Sequence, residues 1–483
     1  MCWFCQVFLR WFLRGTCKTE VRNGRRRVNS DRLLTVTSYT ALLILFCNLI
    51  NPALSIPHQN GAQLSGATAE TKVETHKSVE EREAVQISIQ AILTASGTAV
   101  SRSIKSTQDL AEFHRQLDLS NDQIEVIISR NSSHDIVLYL ERNLFVITKN
   151  FVRKYYTPSG QPVVKTADAH DVALANCYYT GRVVDYADSL VSVSLCHGLN
   201  GYIEFGDHVL KVEPVFENNV VNHILVDESH IEEEENLKYD CATEAENHHI
   251  RHESHHKYGR RHDLPSHRRV ARDIKLPAGS NSETRYIEVY AVMDNSIYER
   301  SGSVDAAVMR AINIMNYASG LYKMLNIYLA LVGVEIWNDR NKIPYTYTSS
   351  NTIDPGVLLK EFNEYRHFNI NWNVTNDSGQ LFSAERFKDG LIGKGSTTAI
   401  CTQTDSGGVT FDGDEARYVR AATTMSHELG HNLGMIHSDS DVYALQDCSC
   451  EDPEHPTFTD CIMHSSAGRK YAHPINLYVL NYP

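Results

Sequence analysis

The chain has 483 residues, enough for two or three domains, and its 42% hydrophobic and 22% charged residues are the composition of a folded globular protein. A formal net charge of −13, with no long basic tract in the C-terminal half, excludes a nucleic-acid-binding role. Beyond the N-terminal region no apolar stretch is long enough to span a bilayer, so a soluble mature chain with no stable transmembrane segment is expected.

In chain order, Arg25, Arg26, Arg27 and Arg32 precede the apolar run 41–50. That run falls short of the ~20 residues of a transmembrane helix. It suits the core of a secretory signal, with small residues at 53–55 for cleavage. The long basic lead leaves a second reading, a retained signal anchor, so residues 1–55 are assigned to one or the other. Sequons at Asn131, Asn373 and Asn376 agree with the secretory route and an extracellular destination.

Residues 56–120 are polar, with a helix expected over 79–93. From 123 to 212, β-branched enrichment and alternation predict strands at 124–129, 134–140, 143–147 and 188–195. Three cysteines lie between 177 and 241, and an oxidising compartment predicts one bridge and one odd thiol. Cys177 and Cys196 flank a strand-like stretch and would close a hairpin, leaving Cys241. The unit 56–226 is therefore expected to be a β-rich domain.

Residues 227–272 form an acidic, His-rich linker: Glu232 to Glu235, then His248, His249, His252, His255, His256, His262 and His267. Its plain reading is a solvated, disordered segment. A sharper one is that histidine protonation in a mildly acidic compartment loosens it for cleavage. It ends in Arg268-Arg269-Val270-Ala271-Arg272, whose R-x-x-R pattern suits a proprotein convertase. Cleavage after Arg272 would release a domain spanning 273–483. There, 304–325 carries apolar residues at a spacing of three to four, 355–365 opens with a proline suited to a helix first turn, and 418–432 makes a third helix. The alternation implies a mixed α/β domain with a central twisted sheet.

The third helix carries His427-Glu428-Leu429-Gly430-His431-Asn432-Leu433-Gly434-Met435-Ile436-His437, an H-E-x-x-H-x-x-G-x-x-H pattern. In this composition it arises by chance in on the order of one chain in several thousand. His427 and His431 stand one helical turn apart on one face, so two imidazoles can grip one metal ion. Gly434, without a Cβ, lets the backbone turn sharply and bring back His437 as a third ligand. Three protein ligands with a fourth position open are the mark of catalytic zinc, and Glu428 stands where it can deprotonate a metal-activated water. Met463 follows 26 residues after His437 in Cys461-Ile462-Met463, as a methionine turn beneath a tri-histidine site would.

On the wording HELGHNLGMIH, then Cys448-Ser449-Cys450, then Cys461-Ile462-Met463, the chain resembles the ADAM/reprolysin branch of the metzincin zinc metalloproteases from about residue 125 to about residue 466. The resemblance implies an α/β fold: a metzincin catalytic domain with a twisted mixed sheet and active-site helix, preceded by a β-rich prodomain. It places a first strand at 286–289, a second at 325–337, a further strand at 377–382 and an edge strand near 393–400 that pairs with extended substrate. Segments Cys177-Tyr178-Tyr179-Thr180-Gly181 and Gly198-Leu199-Asn200-Gly201 are similar to the family's propeptide. It also implies a calcium site to which Glu288 and Asp377 contribute, although each reads equally well as a plain carboxylate.

Thiolate is a good zinc ligand, so Cys241 is expected to hold the metal's fourth position in a latent precursor. The other reading is a buried or intermolecularly paired thiol, and Tyr239-Asp240-Cys241-Ala242-Thr243 departs from the family's wording. Cys450 is expected to pair with Cys461, while Cys401 and Cys448 either pair with each other or stay free. The family continues past this point into a closing helix with further cysteines, so a C-terminally truncated catalytic domain is expected. Two function classes follow. One is a secreted, zymogen-activated zinc endopeptidase with protein substrates; the other is a truncated, catalytically impaired form acting as a binder or decoy.

Overall fold

The computed structural model describes residues 85–95, 98–116, 122–130, 133–186, 189–206, 208–229, 240–242, 284–437 and 462–465. The signal region, most of the linker, Arg272, Asn131, Cys448, Cys450 and Cys461 lie outside the described residues.

Strict alternation organises the N-terminal half. In β3 (Gln123–Arg130) Ile124, Val126 and Ile128 are buried, while Gln123 and Glu125 face solvent. Strand β4 (Ser133–Arg142) buries Ile136, Leu138 and Leu140 in the same way. Such a period of two makes each strand one-sided, and strands buried on one face close on themselves to hide it. Here β3 and β4 join β1 (Val85–Ala95), β7 (Tyr178–Val183), β8 (Leu190–Ser194), β9 (Asn200–Phe205), β10 (His208–Glu217) and β11 (Val220–Asp227) in an antiparallel ring, order β11-β10-β9-β8-β7-β4-β3-β1, closed by β1 against β11. Strand β2 (Thr98–Ser103) extends β1 on its outer side, and α1 (Thr107–Gln116) follows it.

Two expectations fail in this barrel. The helix expected over 79–93 is strand β1 from Val85 onward. Ile87 and Ile89 are buried between exposed Gln86, Ser88 and Gln90, a period of two rather than 3.6. The strand expected at 143–147 is a turn: Asn143 N donates to Tyr178 O at 2.8 Å, and Phe145 N donates to Asn143 Oδ1 at 3.2 Å. Its apolar residues Val146 and Ile147 are buried because they plug the junction with the second sheet. The disulfide expectation holds. Cys177 and Cys196 are bonded with Cα atoms 5.1 Å apart, closing the β7–β8 hairpin in which Tyr178 pairs with Ser194. Cys401 is disulfide-bonded too, so it is not a free thiol.

The second sheet has the order β12-β16-β17-β15-β13-β14-β5-β6. Its strands are β5 (Val152–Tyr156), β6 (Pro162–Thr166), β12 (Asp240–Ala242), β13 (Arg285–Met293), β14 (Ile327–Ile336), β15 (Ser378–Ser383), β16 (Leu391–Gly395) and β17 (Gly407–Phe411). Strand β16 is antiparallel to β17 and β6 to β5, and every other pair is parallel. Parallel strands are buried on both faces and read as near-continuous apolar runs. Alternate residues of β13 accordingly feed two cores. Val289, Ala291 and Met293 join the core containing α4 (Val304–Lys323) and α6 (Val419–Asn432). Tyr290 and Val292 join the core containing α5 (Pro355–Tyr365). Helix α5 starts where the proline predicts, with Asp354 accepting from Gly356 N and Val357 N. In α4, capped by Ser303, the expected stripe Val308, Ala311, Ile312, Met315 and Ala318 is fully buried. Two short helices, α2 (Ala169–Ala175) and α3 (Asn295–Ser301), complete the set. No helix among the described residues is long and apolar enough to cross a membrane.

The second sheet is thus completed by residues far upstream of it in sequence. Hairpin β5–β6 covers one edge, with Gly333 opposite Val152, and β12 covers the other. At the first edge, Glu335 of β14 is fully buried and collects five donors. Tyr156 and Tyr365 hydroxyls lie at 2.6 and 2.5 Å, Trp337 Nε1 at 3.1 Å, Lys154 Nζ at 3.2 Å and the Tyr290 hydroxyl at 3.5 Å. Lys154 and Tyr156 belong to the inserted hairpin. Helix α4 meets the barrel through polar anchors as well. Asn316 Nδ2 donates to Tyr179 O at 3.1 Å and to Ser192 Oγ at 2.9 Å, and the Tyr317 hydroxyl donates to Glu204 Oε1 at 2.6 Å.

Glu204 is buried at this junction, and its second oxygen has no hydrogen-bond partner. Burial pushes its carboxyl up to about 8, with the Tyr317 hydrogen bond opposing. A raised acid favours the folded state fully below the unfolded value near 4.5, and that advantage is lost as pH climbs through 8. The loss runs at about 1.4 kcal/mol per pH unit in that window. Glu204→Gln should therefore remove one proton's worth of slope from melting temperature against pH between 5 and 8, measured on the full chain. An unchanged slope would show that Glu204 is ionised in the folded state.

Candidate active site

Helix α6 brings His427, Glu428 and His431 inside the protein, each at most 3% exposed. The helix stops because Gly434 takes φ +90°, a conformation a side chain resists. Gly434 N then donates to His431 O at 2.8 Å and Met435 N to Gly430 O at 2.9 Å. This reversal carries His437 back over the helix. His427 Nε2 and His431 Nε2 each lie 3.2 Å from His437 Nε2. All three imidazoles offer a ligand atom within 4.8 Å of the others, so the sequence-expected triad is brought together.

The far side of each helical imidazole settles which nitrogen faces the centre. His427 Nδ1 donates to Ile462 O at 2.6 Å, and His431 Nδ1 donates to Met435 O at 2.8 Å. A carbonyl only accepts, so the proton sits on Nδ1 and the Nε2 lone pair points inward. Burial, reinforced by the neighbouring imidazoles, holds His427 well below the usual histidine range; burial also pushes His431 down to about 4. Both rings are neutral at physiological pH. Convergent neutral nitrogens with backbone-anchored Nδ1 atoms fit a zinc ion.

Ile462 and Met463 form the turn beneath the helix. A Cβ on Gly430 would lie 2.5 Å from Met463 Sδ, so the methionine packs directly against the backbone between the two helical histidines. The anchor for His427 comes from this same turn, through Ile462 O.

The Glu428 carboxylate faces strand β16. A Cβ on Gly393 would come within 2.3 Å of Glu428 Oε1, and one on Gly395 within 3.0 Å of Oε2. Only glycines let the strand pass this close. Strand β16 ends at Gly395, short of the 393–400 expected. Beyond it Thr398 N and Ile400 N donate to His431 O and Asn432 O at 2.8 and 2.9 Å, capping carbonyls at the C-terminal end of α6. Strand β12 lies alongside β16 in parallel, with Cys241 opposite Gly393 and Ala242 opposite Lys394. The backbone at Cys241 is therefore beside the glycine that touches Glu428.

Glu288 and Asp377 are neighbours: Glu288 N donates to Asp377 Oδ2 at 2.9 Å. Burial raises both carboxyls; the charge of Asp377 adds to the shift of Glu288, while Arg366 opposes that of Asp377. The two clusters of three or more ligand-type side chains among the described residues are the histidine triad and Asp168, His170 and Asp171 at the start of α2.

Sequence reasoning missed Asn432. Its amide donates to Ser396 O at 2.9 Å and Gly407 O at 3.0 Å, and its Oδ1 accepts from Ser378 Oγ at 2.8 Å. It ties α6 to three segments of the sheet region at once. Tyr322 of α4 was missed too; its hydroxyl donates to Ser426 O at 2.6 Å, beside His427. The only sequence signal for Asn432 is its place next to His431.

Residues 285–475 match the model of the reprolysin (M12B) family of zinc metalloproteases. The chain is 32% identical over 337 residues to mouse (Mus musculus) disintegrin and metalloproteinase domain-containing protein 12, covering 70% of this chain and 34% of that protein. It is 28% identical over 303 residues to the zinc metalloproteinase-disintegrin-like atrase-B of Naja atra, covering 62% and 47%. With atrase-A of the same snake it shares 29% identity over 331 residues, covering 68% and 48%. The chain spans between about a third and a half of the length of these curated relatives. The three-histidine site, the mixed α/β sheet and these matches agree: residues 285–475 form a domain of the reprolysin (M12B) family of zinc metalloproteases, and the chain is similar to ADAM and venom metalloproteinases.

Proposed function

We propose that this chain is a secreted zinc endopeptidase, made as a latent precursor, that hydrolyses extracellular or cell-surface proteins. The observation that carries this reading is the convergence of three imidazole Nε2 atoms beside a buried carboxylate. His427, His431 and His437 would hold the ion. Zinc bound there supplies a Lewis acid for the scissile carbonyl and lowers the pKa of water. Glu428 serves as general base, taking a proton from the attacking water and returning it to the leaving amine. Strand β16 offers main-chain groups to an extended substrate, and its glycines set the distance between that substrate and Glu428. A calcium ion at Glu288 and Asp377 belongs to the same reading, since a cation would relieve two carboxyls raised by burial.

Latency follows from strand β12. It occupies the edge on which substrate would pair, and it brings Cys241 opposite Gly393. We assign Cys241 as the inhibitory zinc ligand and Arg272 as the site where a proprotein convertase separates residues 56–272 from the catalytic domain 273–483.

Four outcomes test this reading. Convertase treatment of the secreted full chain should release peptidase activity that a chelator abolishes. Glu428→Ala should cut kcat by about 10²–10⁴-fold with zinc content unchanged. A processed, zinc-loaded and inert wild type would favour the decoy reading instead. Cys241→Ala should raise activity before processing, and equal latency in the two forms would remove Cys241 from the mechanism. Gly393→Ala should lower kcat while the protein keeps its zinc; full activity would mean that β16 does not set the position of Glu428.

A further inference from the structure

Two of the sequons lie end to end in Asn373-Val374-Thr375-Asn376-Asp377-Ser378, and the fold treats them differently. Helix α5 continues into a wider turn at Arg366–Ile370 and a further turn through Asn373. Phe362, Asn363, Arg366 and Ile370 face inward, whereas Phe368, Asn369, Trp372 and Asn373 lie on the outer face at helical spacing. Trp372 is 77% exposed and Phe368 60%, the two most exposed aromatic side chains among the described residues. Asn373 is exposed, and its Nδ2 makes one hydrogen bond, to Asn369 O in its own turn, at 3.1 Å. Thr375 is exposed as well.

Asn376 is half-buried, and both hydrogens of its Nδ2 are engaged, by Asn371 Oδ1 and Val374 O, each at 3.0 Å. Its Oδ1 accepts from Arg366 Nε at 2.7 Å. Arg366 is buried and also donates to Asn376 O and Thr402 O. Ser378, the hydroxyl residue of this second sequon, is fully buried and donates to Asn432 at the end of the ligand helix. A sugar on Asn376 Nδ2 would leave at most one of its two donor bonds and wedge the turn off Arg366.

We propose that Asn373 carries an N-linked glycan whose first sugars cover the exposed Phe368–Trp372 strip, and that Asn376 is left unmodified. This rests on the secretory route proposed above. The modification joins Asn373 Nδ2 to C1 of an oligosaccharide delivered on a lipid pyrophosphate. Nδ2 loses one proton, the C1–oxygen bond to the pyrophosphate breaks, and the lipid pyrophosphate leaves. The remaining N–H keeps its bond to Asn369 O. The apolar faces of the first sugars then lie over aromatic rings that the fold otherwise leaves in water.

The test is peptide mass spectrometry of the full chain, secreted from eukaryotic cells and deglycosylated by an amidase that marks each formerly occupied asparagine as aspartate. The expected result is a marked Asn373 and an unmarked Asn376. Thr375→Ala, which destroys the first sequon and leaves Asn373 in place, should remove that glycan and raise binding of an apolar dye severalfold. Adding Phe368→Ser and Trp372→Ser to Thr375→Ala should bring dye binding back down. A vacant Asn373 or an occupied Asn376 in the secreted protein overturns the proposal. Unchanged dye binding on loss of the glycan overturns the shielding role. A chain found only in the cytosol, unmodified, refutes the secretory reading and this proposal with it, and the location of the protein tells that failure from the others.

Discussion

Two backbone carbonyls hold this site together. Ile462 O and Met435 O take the Nδ1 protons of His427 and His431 and so turn both Nε2 lone pairs toward His437. Without those acceptors the two helical imidazoles could change tautomer or rotate, and a shared metal position would be lost. The neighbouring features serve this pair of bonds. Gly434 makes the reversal that puts Met435 O over the helix end. The turn at Ile462 and Met463 lies beneath Gly430. Asn432, Tyr322 and the 396–400 segment fix the helix against the sheet and α4.

The sheet around this helix is not built from its own segment alone. Both edges are occupied by upstream strands, β12 beside the carboxylate and β5–β6 at the far end. An uncovered edge offers unpaired main-chain groups and invites association. Covering it from the same chain protects the sheet, and in the proposed function β12 also blocks the position where substrate would add. The far edge is held by side chains too. Glu335 receives Lys154 and Tyr156 from the hairpin, so separating the two parts would leave a buried carboxylate short of donors. The barrel and the second sheet also share one apolar core, in which Tyr178, Leu190 and Tyr202 meet Ala311, Met315 and Ala318.

How much of this could be read beforehand depended on the range of the interaction. The histidine spacing, the Gly434 turn and the α5 start are local, and each stands where the residues put it. The Cys177–Cys196 bridge was legible because only 19 positions separate its ends. Strand β1 was misread because its polar flank hid an Ile87–Ile89 alternation that matters only once β3 and β11 are beside it. The apolar run at 143–147 was misread because burial there comes from the neighbouring sheet rather than from strand pairing. The pairing of Val152 with Gly333 and of Cys241 with Gly393 leaves no mark on either segment alone. Asn432 was missed because an asparagine acquires its role only from the three segments it joins.

The most direct measurement of the central claim is zinc-edge X-ray absorption of the purified full chain, before and after processing. Three imidazole nitrogens at about 2.0–2.1 Å are predicted in both forms, with a sulfur at about 2.3 Å before processing and an oxygen in its place afterwards. A folded protein that takes up no zinc, or whose zinc has fewer than three histidine ligands, would contradict the account.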